Sequence, residues 1–257
     1  MENPWKKING DDFYINDKSS IEEMNRQSQK EFEIRCQTGD PYFIDTELMP
    51  EPYMGNQNAN IIFLFSNPGL TADKREHDDH ANPELKKTLI KNLTHQNEEF
   101  PYYYLDPKFK KTAGGEWIRT RIKQVIELLT AEFKNKNEDE VIKAISNSIF
   151  TIQLHPFHSR EYKTLKGNFF GHDYTLELFS NAVERVKKKD AIMICTRSYE
   201  EWNKVYKAKE NTIENLDELP MDYFTKTKSP RSPHITKANF VNPKVFDRMI
   251  EIISKKL

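Results

Sequence analysis

The sequence predicts an α/β protein: a three-layer α/β/α sandwich around a mostly parallel four-stranded central sheet. Three observations lead there. Short apolar runs recur at Ile61–Phe65, Ile149–Leu154 and Ala191–Cys195, each of strand length and largely without polar alternation, as strands buried on both faces require. Stretches of helical period lie between them, long enough to serve as right-handed crossovers joining parallel strands. The chain has 257 residues, 37% of them hydrophobic, which suffices for one core of this kind.

Taken in order, residues 18–36 carry Ile21, Met24, Ser28 and Phe32 at helical spacing, with Ser19 and Glu22 placed as a capping box. Residues 1–50 therefore read as an N-terminal helical segment packed on a single domain spanning 1–257. The first strand, Ile61–Phe65, follows. Asn82-Pro83 is an N-cap with proline at the first helical position, starting a helix to about Gln96. Tyr102, Tyr103 and Tyr104 fall in a loop. After Gly114-Gly115, the residues Trp117, Ile118, Ile122, Val125, Ile126 and Leu129 form one amphipathic stripe, best explained by core packing. A short helix near 139–146 leads into the second strand, which ends at His155-Pro156. A helix over 174–188 precedes the third strand, which leaves through Thr196-Arg197. A fourth strand is expected near 221–227, then a long loop to Asn239, then a terminal helix opened by Asn242-Pro243. Neither a repeat nor an interdomain linker is visible.

Composition narrows the function classes. Charged residues make up 31% and mean hydropathy is −0.82. No apolar run approaches the roughly 18 residues that span a bilayer. The N-terminus lacks an apolar stretch after its charges, so a cytoplasmic protein without membrane contact is expected. Cys36 and Cys195 are too few for a disulfide framework, a four-thiolate zinc site or a four-thiolate iron–sulfur cluster. A net charge of −1 argues against a generally basic nucleic-acid coat but permits a local basic face.

In parallel sheets ligands collect at the carboxyl ends of the strands, which would bring Asn67, His155 and Arg197 to one edge. Within Ser66-Asn67-Pro68-Gly69, proline fixes its own φ and drives Asn67 into extended backbone, while Gly69 permits a turn or a close approach by a ligand. Asn67 is thus a rigid amide at the sheet rim. It can accept a hydrogen bond from water but cannot act as a strong base. By itself Asn-Pro-Gly is more often only a turn.

An apolar strand followed by Phe65-Ser66-Asn67-Pro68-Gly69-Leu70 resembles the first motif of the uracil-DNA glycosylase superfamily, most closely its mismatch-specific branch. Pro52-Tyr53-x-Gly55, just before that strand, is similar to the family's leading segment. The resemblance implies a uracil-DNA glycosylase-like fold and a flipped nucleotide whose C1′ is attacked by water that Asn67 positions. Ser66, Pro68 and Gly69 would line the base site with Tyr102, a candidate for base stacking. The end of the second strand would read the base, through Gln153 and His158. The family's second signature, which grips the DNA backbone and inserts a wedge, has two candidates here. His155-Pro156-Phe157-His158-Ser159-Arg160 resembles it in letters; Ser229-Pro230-Arg231-Ser232-Pro233-His234-Ile235-Thr236 agrees with it in chain order and is assigned the role. Ile235 is then the wedge, and Ser232, His234, Thr236, Lys228 and Lys237 are DNA contacts. Arg231 stands near the family's histidine, and with His155 and His158 it is a candidate to assist the departing base.

Two His-x-x-His pairs, His77 with His80 and His155 with His158, invite a metal reading, but Pro156 disfavours a helix at the second pair, and no metal is expected. No cofactor is required by this chemistry. The expectation is a monomeric, monofunctional DNA glycosylase that leaves an abasic site. The departure from the usual asparagine at the second strand's exit suggests a uracil-like or modified base, such as a 5-substituted cytosine, in base-excision repair or in defence against phage with altered DNA. A non-catalytic DNA-binding protein of the same fold is the alternative. A serine hydrolase is disfavoured by the absence of Gly-x-Ser-x-Gly.

Overall fold

The computed structural model describes residues 1–7, 17–33, 40–71, 73, 75–97, 99–164, 169–229 and 231–257; Cys36 and Pro230 lie outside them. Its strands are β1 (Tyr53–Gly55), β2 (Ile61–Phe65), β3 (Ile149–Gln153), β4 (Ile192–Cys195) and β5 (Phe224–Lys226). They form one sheet in the order β1-β3-β2-β4-β5, with β1 antiparallel to β3 and every other neighbour parallel. The protein is α/β, and the described sheet is mixed and five-stranded rather than four-stranded.

β1 is the addition. Three residues are too few to show a periodicity, and only pairing reveals the strand: Tyr53 lies opposite Ile152, and Gly55 opposite Phe150. Gly55 has φ +96°, and a Cβ there would fall 2.4 Å from the Ile149 carbonyl oxygen, so only glycine fits. The outer edge of β1 is closed by Asn92, whose Nδ2 donates to the Tyr53 carbonyl and whose Oδ1 accepts from the Gly55 N–H.

All residues of β2, β3 and β4 are buried. Successive side chains of a strand point to opposite faces, so both faces of these central strands are covered. The helices are α1 (Lys18–Glu33), α2 (Arg75–Ala81), α3 (Pro83–Leu93), α4 (Ala113–Arg121), α5 (Lys123–Glu132), α6 (Glu138–Ser146), α7 (His172–Lys187), α8 (Tyr199–Glu210) and α9 (Pro243–Ser254). Asn82 and Asn242 cap α3 and α9 through their side chains, with proline following each. Asn137 and Glu140 form a reciprocal capping box on α6. The helix expected across 117–129 is divided at Ile122 (φ −99°, ψ 12°), yet Ile118, Ile122, Val125 and Leu129 all remain in the core. α1 begins at Lys18, ahead of the capping box expected from Ser19, and Asp17 accepts from the Phe170 N–H instead. One buried apolar cluster runs from Trp5 and Ile21 through the sheet to Ile253. Among the described residues no helix is long and apolar enough to cross a membrane.

Candidate active site

The exits of β2, β3 and β4 are joined by backbone and side-chain bonds. Parallel pairing of β2 with β3 continues past the strand ends, as Leu154 N–H donates to the Phe65 carbonyl and His155 N–H to that of Ser66. Ser159 N–H then donates to the Pro68 carbonyl. On the other side of β2, the Ser66 and Ser198 hydroxyls meet at 2.8 Å, and Trp202 Nε1 donates to the Phe65 carbonyl. The segment 66–69 is therefore held from both sides, as rigid as its proline implied.

Asn67 is the product of that arrangement. Its Nδ2 donates to the Pro68 carbonyl at 2.8 Å, to the Ser159 carbonyl at 3.2 Å and to Ser159 Oγ at 2.9 Å. Carbonyl oxygens only accept, so these partners settle which end of the amide is nitrogen. Ser159 Oγ gives its own proton to the Glu161 carbonyl, which leaves it an acceptor for Asn67. With the nitrogen fully engaged, Oδ1 is the end of the amide left to accept from a ligand or a water.

Asn67 borders a cleft of about 260 Å³ at the carboxyl end of the sheet, with Ser66, Pro68, Gly69, Gln153, His158 and Tyr102 also in its wall. Phe65 and Trp117 add an aromatic side, edge to face at 5.3 Å. Gln153 is buried, and its Oε1 has no hydrogen-bond partner among the described residues. A buried, unpartnered amide oxygen in a cleft wall calls for a donor from a ligand.

A charged cluster that the sequence did not disclose forms part of the same wall, through Glu51, Tyr104 and His158. Glu51 is buried; Tyr103 donates to its Oε2 and Tyr104 to its Oε1, each at 2.8 Å. His158 Nε2 lies 3.4 Å from Glu51 Oε1 and 3.1 Å from the Met49 carbonyl oxygen, while its Nδ1 lies 2.9 Å from the Gly69 carbonyl oxygen. Each ring nitrogen faces a carbonyl, so each carries a proton and His158 is an imidazolium. Burial opposes that charge, but hydrogen bonding and the charge of Glu51 outweigh it and raise the His158 pKa. Burial likewise opposes the charge on Glu51, and His158 with His80 outweighs it, holding the carboxyl well below the usual range. Through Gly69 this ion pair grips the same loop that presents Asn67.

Gly114 faces the cluster, since a Cβ there would lie 2.4 Å from the Tyr104 ring. Gly114→Ala is expected to displace Tyr104 from Glu51 and to destabilise the protein by about 1–3 kcal/mol, readable as a lower denaturation midpoint; an unchanged midpoint would show that Tyr104 is not anchored there.

Several expected site residues fall elsewhere. His155 is buried outside the cleft, where it borders a smaller cavity and stacks on Tyr162 at 5.3 Å. Its Nδ1 accepts from the Phe157 N–H, and burial lowers its pKa to about 3, so it is neutral and not placed to protonate a group in the cleft. Arg231 is exposed and absent from the cleft wall; the arginines found there are Arg160 and Arg197. Ile235 is 1% exposed and belongs to the core, so the expected wedge is not presented to solvent. His158 keeps its place, but both its protons are given to protein carbonyls. In the rest of the 229–236 loop and its flanks, Thr236 Oγ1 accepts from the Asn239 N–H, and the Ser232 carbonyl accepts from Asn239 Nδ2. Lys228 donates to the Ala238 carbonyl, and Lys237 pairs with Asp247. Two bonds link this loop toward the cleft through Arg121: its guanidinium meets His234 Nε2, and its carbonyl accepts from the Ile235 N–H. The letters of 155–160, set aside on chain order, are those that lie against Asn67.

Among the described residues, two groups of three have metal-ligand composition, Glu51–His80–His158 and Asp45–Glu47–His77, with atoms within 4.8 Å of one another in each. The first does not suit an ion: both His158 nitrogens are protonated, and His80 Nδ1 accepts from the Met49 N–H, which places its proton on Nε2, the atom facing Glu51. The second lies outside the cleft wall, with His77 Nε2 3.0 Å from Asp45 Oδ2. Compared with models of known protein families, with curated proteins and with solved structures, the chain matches none.

Proposed function

We propose that the protein is a monofunctional DNA glycosylase, acting on a nucleotide whose base is extruded into the cleft beside Asn67. The observation that carries this reading is Asn67 itself, whose nitrogen is fixed by Pro68 and Ser159 so that Oδ1 is left to hold a water. The C1′–N bond breaks first, charge builds on the sugar, and the oriented water forms the new C1′–O bond and releases a proton to solvent, leaving a hydroxyl on C1′. The base departs with the electron pair and is protonated from solvent. Placement suffices for such a step; a strong base is not needed.

The wall supports a base as the bound group. Phe65 and Trp117 offer an aromatic surface for stacking, and Gln153 offers an unspent acceptor to an N–H on the base edge. The volume lies just under the range of about 300–1,000 Å³ typical of drug-sized pockets, which suits one base with a modest substituent. A uracil-like base or a 5-substituted cytosine fits this reading. The uracil-DNA glycosylase-like fold remains part of the proposal, supported by the four parallel strands β3-β2-β4-β5 and the polar exit of β2.

The test is incubation with oligonucleotides carrying uracil, mismatches and bulky 5-substituted cytosines, scored for abasic sites. Product on at least one is expected; none on any of them removes the glycosylase reading and leaves a DNA-binding protein. Gly69→Ala adds a sharper probe. Apart from its chain neighbours, a Cβ at Gly69 meets no atom of the described residues within 4 Å, so the variant should melt within about 0.5 kcal/mol of the parent. Its excision should nevertheless fall, because the added methyl sits where the ligand approaches the loop. Undiminished excision would place the substrate away from Gly69.

A further inference from the structure

The acids and bases around the cleft are unevenly used. Glu51 is neutralised by His158 and bonded by two tyrosines, and Glu76 accepts from Thr71 N–H with both carboxylate oxygens and from Thr71 Oγ1 with Oε2. The arginines have no such partners. Arg160, on the β3 exit, and Arg197, on the β4 exit, both border the cleft, and among the described residues neither is ion-paired. Because β2 lies between β3 and β4, the two cations flank the exit that carries Asn67.

Arg121 adds a third. It ends α4, one turn beyond Trp117, with its guanidinium 5.4 Å from the centre of that indole ring. Its Nη1 donates to His234 Nε2 at 2.8 Å, and its Nε is buried without a partner among the described residues. A guanidinium can only donate, so His234 accepts with Nε2 and brings no second charge to that bond. Burial lowers the pKa of Arg121 and of Arg197, and the charge of Arg197 lowers that of Arg121 further. Arg197 lines the cleft and Arg121 lies over Trp117, which also lines it; both are partly stripped of water, and among the described residues neither is ion-paired. Such an arrangement is unfavourable until an anion occupies it.

We infer that Arg197 and Arg121 form a phosphate subsite at the mouth of the cleft, which takes a phosphodiester of the DNA strand beside the extruded nucleotide. The ligand's identity as DNA rests on the glycosylase reading; the need for an anion does not. Guanidinium suits the role, since its planar fork binds phosphate oxygens in pairs. His234 holds Arg121 in place, giving the 229–236 loop a part in DNA binding as support for the arginine. Arg160 extends the positive rim along the strand on the far side of β2. Phosphate contacts of this type fix register and carry no sequence preference.

The test is binding of the full chain to an oligonucleotide with a tetrahydrofuran abasic analogue, which has no base and cannot be cleaved, measured by anisotropy across a salt series. Arg197→Ala is expected to weaken binding several-fold and to reduce the slope of log K against log salt by about 0.7–0.9. Arg197→Lys should restore the slope but only part of the affinity. Arg121→Ala should act in the same direction. An unchanged slope in Arg197→Ala, with an unchanged melting curve, overturns the subsite. Competition with inorganic phosphate and with a nucleoside 5′-monophosphate separates the sources: displacement by the mononucleotide at micromolar concentration assigns the arginines to a free nucleotide and overturns the backbone assignment. Excision is scored separately, so a reduced slope without abasic product on any base keeps the subsite and removes the glycosylase. A normal slope with normal excision does the reverse.

Discussion

Asn67→Ala is expected to lower excision by on the order of 10²-fold or more while leaving the affinity for the abasic-analogue oligonucleotide within about twofold of the parent. The variant loses the one acceptor that the loop holds rigidly toward the cleft, and water must then be captured at random. It loses no core contact, because Asn67 is only half-buried and its bonds go to the Pro68 and Ser159 carbonyls and to Ser159 Oγ. The Pro68 carbonyl keeps the Ser159 N–H as a donor, and the His155 N–H still donates to the Ser66 carbonyl, so the two loops stay tied together. A parallel fall in binding and excision would mean that Asn67 holds the strand rather than the water. Undiminished excision in the variant would mean that a group other than Asn67 places the water.

The second large effect concerns stability and its pH dependence. Glu51→Gln keeps the volume and an acceptor for the tyrosines, but leaves His158 as a buried imidazolium without its counter-charge. Breaking a buried pair in this way costs about 3–5 kcal/mol, a fall of on the order of 10 °C in Tm for a chain of this length. In the parent, the His158 pKa is raised by folding. Its contribution is complete below the ordinary histidine value of 6.5 and is lost as pH rises through the raised one. Glu51 behaves oppositely: its contribution is complete above 4.5 and is lost only as pH falls toward its depressed value. Thermal melts should therefore show a decline as pH rises above 6.5 through the raised His158 value. Glu51→Gln should move that decline to lower pH, since the charge that raised the His158 pKa is gone. A decline that stays in place would show that another group titrates there.

Local signals were the readable part of the molecule. Asn82-Pro83 and Asn242-Pro243 announce helix starts because cap and first turn lie within three residues of each other. β2, β3 and β4 announce themselves because burial on both faces imposes a continuous apolar run. The division at Ile122 stayed hidden because the apolar stripe passes through it unbroken. β1 stayed hidden because three residues become a strand only against β3, about a hundred positions later.

The site divides in the same way. That Asn67 would be rigid follows from Pro68 and from the strand before it, all within one short segment. That its nitrogen would be the end consumed depends on Ser159, which is 92 positions away. Glu51 sits before a proline in an unremarkable stretch; its tyrosine partners are 52 and 53 residues distant, and nothing local marks it as the centre of a buried charge cluster. Ile235 illustrates the converse, since an apolar residue in a polar loop looks exposed until the Ile235 N–H is seen bonded to the Arg121 carbonyl and its side chain buried in the core.

By itself, then, the sequence determined the α/β class, the central strands, the capped helices and the rigid amide at the end of β2, because each is encoded by neighbours in the chain. Tertiary structure alone decided which strand exits meet, which histidine is charged, and that Arg160 and Arg197 rather than Arg231 line the cleft. Long-range pairing and burial set the partners of a polar group, and partners, more than residue type, decide whether its protons and lone pairs are free for chemistry.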